Sequence, residues 1–470
     1  MYPLAIDVGT TNIKLHVFEK ENLLDKLSIP IDTYREDDGR VYQSPERIWN
    51  KIKRGIRSLT QKGYQIDSVV LSTAMHSIMP VFDNNSEDEL YIWQDRQGQE
   101  FIESFKRDED YLSVYKKTGT PIHEMSPFAK IGSFQRKPWF QDVRKWVSLK
   151  DYLMNEFTGE WVLDYSIASA TGLFNIHDKQ WDEEILEMID VKRHQLSRLV
   201  DTDYYAPLLD HVAEELFLKE GIPVFIGASD GCLASYASYV ANGTLNTLTI
   251  GTSAAVRKLS KEIELDDLGQ TFCYYLNENY WVIGAASNNG GQIMTWADKT
   301  FYDGHSIFKH LNQLLDQTNI GSDGLLFFPY LSGERTPSIQ QDINGSFTGL
   351  TMCHTKNHFI RSVVEGIFYN LRYISELVAL DSREITISGG FFQNDILTMM
   401  ASDIFGRNVI QSVYGEPTFG GVSLVTPLKT YLLSDYKRTF YSEESHQLYN
   451  KTYDKYVEEL EKNYLELSKD

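Results

Sequence analysis

Twice along this chain, once at its start and once past its midpoint, an apolar run breaks at a glycine-hydroxyl turn and returns as a second apolar run. Leu4 to Val8 leads into Gly9-Thr10-Thr11-Asn12, after which Ile13, Leu15 and Val17 alternate with Lys14 and His16 in the period of a strand. Thr247 to Ile250 leads into Gly251-Thr252-Ser253, and Ala255 to Leu259 returns. One such turn reads equally as an ordinary hairpin. Its recurrence predicts a duplicated domain, with two turns whose N–H groups and hydroxyls suit the phosphates of one ligand. Asp7, beside the first turn, is placed to hold a metal. A Walker loop is excluded, because that motif needs Gly-Lys-Ser/Thr followed by a helix, not a strand.

With 470 residues the chain exceeds one ordinary core, so two domains are expected, 1–240 and 241–470. A net charge of −21 argues against a nucleic-acid partner, which would need clustered Lys and Arg. No apolar run reaches the ~18 residues of a membrane helix, and no export signal precedes the first strand. Cys232, Cys273 and Cys353 are far apart and odd in number, which fits a reducing cytoplasm.

Between the two turns, several strands run into polar ends, where open α/β sheets bind ligands. Ser68 to Ser72 ends in Thr73-Ala74-Met75-His76-Ser77. Trp93-Gln94-Asp95-Arg96 groups a ring, a carboxylate and a guanidinium in a loop. Thr118-Gly119-Thr120-Pro121-Ile122-His123 carries a second His, and Pro127 prevents His123-Glu124 from opening a zinc-protease helix. Asp164 to Gly172 is rich in hydroxyls and reads as a loop of Asx and Ser/Thr turns. Pro223 to Ser229 ends at Asp230, which either caps the following helix or faces a ligand. Glycine pairs at Gly290-Gly291 and Gly389-Gly390 would let a ring or a phosphate approach the backbone.

Taken together, these motifs resemble the FGGY family of carbohydrate kinases, in the actin-like ATPase superfamily, over nearly the whole chain. Asp7-x-Gly9-Thr10-Thr11 with Lys14 is similar to the family's first phosphate motif, Gly251-Thr252-Ser253 to its second, and Gly389-Gly390 with Gln393 and Asn394 to its adenosine motif. The run Gly345 to Leu350, with His358, Phe359, Ser362 and Glu365, matches its C-terminal pattern. Gly333-Glu334-Arg335-Thr336-Pro337 is also typical. Cys353, His354 and His358 fall within that pattern, so they are not read as a metal site.

The resemblance implies an α/β fold of two actin-like (ribonuclease H-like) domains with an ATP-binding cleft between them. It implies ATP and Mg²⁺ as cofactors, the latter placed by Asp7. Asp230 becomes the general base, Gly291 joins the nucleotide contacts, and Met75, His76, Asp95 and His123 line the sugar pocket. His123 or Arg96 is placed to meet a carboxylate. Two departures fall near that pocket: Ser133 stands where a Trp is usual, and Gln97 where an Arg is usual, with Arg96 one residue early. Within the family, Ala74 to Ser77, Gly119 to Pro127 and Asp164 to Gly172 are similar to gluconate kinases. Xylulose kinases share the Met-His pair but usually follow it with Gly, and D-xylulose is the alternative acceptor. A non-kinase actin-like ATPase would share the phosphate turns but need no acceptor-facing Asp230. Partners are a small sugar or sugar acid, with a homodimer left open.

Overall fold

The computed structural model describes residues 2–83, 89–337, 343–412, 414–426 and 436–465. The alternating N-terminal residues form an antiparallel meander of Pro3–Val8, Asn12–Glu19 and Asn22–Pro30, with Asp7 opposite Lys14 and Val8 opposite Ile13. On its other edge Pro3–Val8 pairs in parallel with Ser68–Thr73, setting Asp7 beside Ser72. Pro223–Ser229 pairs in parallel beyond that. The sheet order is thus third, second, first, fourth, fifth, closed by Tyr205–Pro207.

Helix Pro45–Thr60 covers part of this sheet with Ile48, Ile52, Ile56 and Leu59, recurring on one helical face. Ser44 caps it by accepting the Arg47 N–H at 3.3 Å, and Pro45 occupies the first turn, where a missing N–H costs nothing. Helix Leu149–Thr158 adds Leu153, Met154 and Phe157 to the same core, its start fixed by a reciprocal Ser148–Asp151 cap.

In the second half, Asn246–Ile250 pairs antiparallel with Ala254–Ser260, with Tyr280–Ser287 beyond it. Glu384–Ser388 and Asn408–Ser412 add in parallel on the other side. The same strand order recurs, that of ribonuclease H-like domains, so the duplicated turns belong to duplicated sheets. The 22-residue helix Lys356–Leu377 buries Ile360, Val363, Ile367 and Leu371.

The chain forms two compact units. The first takes residues up to Val240, and Ser260–Val282 and the segment from Tyr414 through helix Pro417–Val425 return to it from the second half. One local expectation differs from the structure. Within Asp164 to Gly172, Tyr165–Ser169 is a short helix with Ser166 to Ser169 buried, not a loop. The C-terminal helix Glu443–Leu460 buries Tyr449, Tyr453, Tyr456 and Leu460. No described helix is long and apolar enough to cross a membrane. Among the described residues there is no disulfide.

Candidate active site

Parallel pairing brings three carboxyl ends together in the first unit: Asp7 near the end of its strand, Thr73 to His76 after the second, and Asp230 after the third. Asp7 is buried and accepts from Ser72 Oγ at 2.7 Å. Burial first, and the nearby Asp230 charge second, push its carboxyl up to about 7, against the Ser72 hydrogen bond and Lys14. Asp230 opens helix Asp230–Asn242, and its Oδ1 accepts from the Gly231 N–H at 2.7 Å. That bond orients the carboxylate and fits either sequence reading of this residue.

In the first phosphate turn the Gly9 N–H donates to Asn12 O at 3.1 Å. Thr10 is held from two sides, one of them a residue the sequence did not single out: Trp93 Nε1 donates to its Oγ1 at 2.9 Å, and the unanticipated Gln43 Nε2 to its carbonyl at 2.7 Å. Accepting from Trp93 leaves the hydroxyl its own proton to donate. Thr11 is exposed, and Lys14 pairs with Glu416 at 2.5 Å. Burial works against the Lys14 charge, but Glu416, Asp7 and Asp230 outweigh it, so its ammonium lies above the ordinary lysine range.

The residues expected on the acceptor side come from three segments tied through backbone. His76 adopts φ 64, uncommon for a non-glycine, and its Nδ1 lies 2.8 Å from Ala170 O. Buried Lys130 donates to His76 O at 3.1 Å and to Met125 O. Thr120 Oγ1 donates to Ser169 O at 2.6 Å. Met75 and His123 are half-buried; His123 Nδ1 accepts from the Met125 N–H at 3.2 Å and stands 3.2 Å from Glu124. Asp95, expected in the sugar pocket, is fully buried and accepts from the Val41 N–H, the Gln97 N–H and Gln97 Nε2. Gln97, one of the two departures, therefore serves Asp95 directly. Ser133, the other, donates to Lys130 O at 2.7 Å, and Arg96 is exposed.

In the second unit Gly251 closes its turn as Gly9 does, its N–H donating to Ser253 O at 2.9 Å. Gly251 and Thr252 are exposed. The Gly291 N–H donates to Gly251 O at 2.7 Å, and a Cβ on Gly291 would stand 2.7 Å from that oxygen, so only glycine permits this contact. The turn is braced by buried Glu334, which accepts from Ser287 Oγ, Asn289 Nδ2, Asn370 Nδ2 and the backbone N–H groups of Asn288 and Arg335. Burial raises the Glu334 carboxyl, and those donors pull it back. The exposed Gly389-Gly390 step follows Glu384–Ser388. Gln393 ends a 3-10 turn, and Asn394 caps helix Asp395–Phe405 by accepting from the Ile396 N–H.

Among the described residues no group of three or more His, Cys, Asp or Glu could hold a metal. His358, set aside as a ligand above, pairs with Asp323 at 3.0 Å. A single carboxylate such as Asp7 fits an ion that keeps its waters and takes other ligands from substrate phosphates, as Mg²⁺ does.

The chain is 34% identical over 432 residues to a gluconokinase of Bacillus subtilis, covering 87% of this chain and 84% of the relative. It is 30% identical over 437 residues to a xylulose kinase of Lactococcus lactis, with the same coverage. A solved gluconate kinase from Lactobacillus acidophilus superposes over 99% of both chains with a TM-score of 0.94 at 25% identity. Residues 2–236 match the model of the N-terminal domain, and residues 246–426 that of the C-terminal domain, of the FGGY family of carbohydrate kinases. The chain belongs to the FGGY family of carbohydrate kinases.

Proposed function

We propose that this kinase transfers the γ-phosphoryl group of ATP to the terminal hydroxyl of D-gluconate, giving 6-phosphogluconate. The observation that carries the choice of acceptor is the 34% identity to a gluconokinase over most of the chain, against 30% to a xylulose kinase. Structural likeness does not separate them: a xylulose kinase of Lactobacillus acidophilus superposes with a TM-score of 0.93. D-xylulose is therefore the second reading.

Phosphoryl transfer asks a protein mainly to position groups and neutralise charge. Asp230 accepts the proton of the attacking hydroxyl as its oxygen bonds to the γ-phosphorus and the bond to ADP breaks. Turn N–H groups and hydroxyls at Gly9 to Thr11 and Gly251 to Ser253 donate to phosphate oxygens. Mg²⁺, held by Asp7 through water, would supply neutralising charge on the β- and γ-phosphates. His76, fixed at a strained φ by Ala170 O and Lys130, and Met75 orient the acceptor.

The test is coupled ADP release over gluconate, xylulose, glycerol and ribulose. Gluconate should give the highest kcat/KM; a higher value for xylulose would overturn the acceptor, and no stimulation by any polyol would overturn the reading as a kinase of these substrates. Asp230→Asn should lower kcat by about 10³-fold with ATP affinity kept. Near-normal turnover in that variant would remove Asp230 from the role.

A further inference from the structure

The strand that delivers Asp230 is irregular just before its end. Its parallel pairing with Ser68–Thr73 slips between Phe225 and Ala228, a β-bulge. Gly227 sits there at φ 64, so close to the neighbouring strand that a Cβ would stand 2.0 Å from Leu71 O. Bulges of this kind re-aim side chains beside active sites. Both carbonyls flanking Gly227 accept from one donor: Lys150 Nζ lies 2.7 Å from Ile226 O and 3.1 Å from Ala228 O.

Lys150 is fully buried. It stands 3.4 Å from Asp164 Oδ2, near enough for charge pairing though not aligned as a hydrogen bond. The other Asp164 oxygen caps the short helix Tyr165–Ser169 through the Ile167 N–H at 2.8 Å. From that helix Ser166 Oγ accepts the Ser229 N–H at 3.2 Å. The two residues before Asp230 are thus braced by one ammonium and one hydroxyl. Burial pulls the Lys150 ammonium below its ordinary range, and Asp164, Asp230 and Asp7 are the charges that oppose this. An isolated buried ammonium is costly, and a methionine would fill similar space without that cost. The retained charge calls for a reason beyond packing.

We propose that Lys150 is a positioning residue for phosphoryl transfer: its ammonium, held between the bulged strand end and Asp164, fixes the backbone that carries Asp230. The proposal rests on the reading of Asp230 as the base.

The experiment measures kcat, the gluconate KM and ATP affinity for the full chain and for Lys150→Met, Lys150→Gln and Lys150→Arg. Lys150→Met should lower kcat at least about tenfold with the gluconate KM and ATP affinity unchanged. Lys150→Arg, which keeps a cation able to donate to both carbonyls, should recover part of that loss. A Lys150→Met kcat within about twofold of the parent, or a loss carried by KM and ATP affinity instead of kcat, would overturn the proposal. If Lys150→Met does not fold, Lys150→Gln decides by the same split. Asp230→Asn run alongside separates the two readings. Turnover retained there rejects the base, whereas an inactive Asp230→Asn with near-normal kcat in the Lys150 variants rejects only the Lys150 assignment.

Discussion

Lys130→Met would test the internal framework of the acceptor side through stability rather than activity. Lys130 is fully buried, donates to the carbonyls of His76 and Met125, and has the Asp95 carboxylate as the first charge in its favour. Burial nonetheless dominates and lowers its ammonium from the ordinary 10.5 to about 8. The folded chain therefore releases this proton earlier than the unfolded chain as pH rises. Below pH 8 both states carry the charge, and the fold bears its desolvation. Between about 8 and 10.5 only the unfolded chain remains protonated, so this residue adds stability as pH rises; the same stability is lost as pH falls back through 8. At about 1.4 kcal/mol per pH unit, that window is worth roughly 3 kcal/mol. The methionine variant has no such window. At pH 7.5 it loses two hydrogen bonds but also sheds a buried charge, so its deficit is small; by pH 10.5 the deficit should have grown by roughly 3 kcal/mol. Urea unfolding followed by tryptophan fluorescence reads the relevant unit, because seven of the eight tryptophans, all but Trp296, lie in it. Other groups that titrate in this range are shared by both proteins and cancel in the difference. Stability curves that stay parallel from pH 7.5 to 10.5 would refute the argument.

Two further perturbations address the second unit. Glu334→Gln turns a side-chain N–H toward a site lined by five donors and should destabilise by about 2 kcal/mol in urea unfolding, with ATP affinity weakened because the Gly291 turn loses its brace; unchanged stability would mean that the network reorganises. Gly291→Ala places a methyl against Gly251 O and should weaken ATP binding at least about tenfold by calorimetry, a difference of about 1.4 kcal/mol. An unaltered affinity would detach this contact from nucleotide binding.

What the sequence disclosed and what it concealed divide along a physical line. Both glycine-hydroxyl turns and the strands flanking them were legible because each is set by a handful of consecutive residues. The hydroxyl-rich stretch from Asp164 misled because its hydroxyls are satisfied within the fold. Ser169 Oγ donates to Ser166 O at 2.8 Å and Thr171 Oγ1 to Ala168 O at 2.6 Å, which lets a short helix sit buried. The partners of Asp95 were only half legible: Gln97 lies in its own motif, but Val41 is distant in sequence. Nothing local distinguishes Lys150 from a surface lysine, since its acceptors are the carbonyls of Ile226 and Ala228 in another segment.

Lys130 and Lys150 bear on how a chain of net charge −21 admits a polyanionic substrate. Surface ammoniums are screened within about 8–10 Å by physiological salt, so exposed cations would only weakly offset the carboxylates crowded at these strand ends. A buried ammonium tied to carbonyl oxygens is screened much less and does not have to find its position when the substrate arrives. In the first unit Lys150 acts on Asp7 and Asp230, Lys130 on Asp95, and the half-buried Lys14 on Asp7. Each of these carboxylates is thereby matched with an internal or partly internal cation. The local field at the strand ends is decoupled from the acidic surface, and the pH profile of phosphoryl transfer should depend on salt far less than the overall charge would suggest. A steep salt dependence of the acid limb would show instead that the surface charge governs the base.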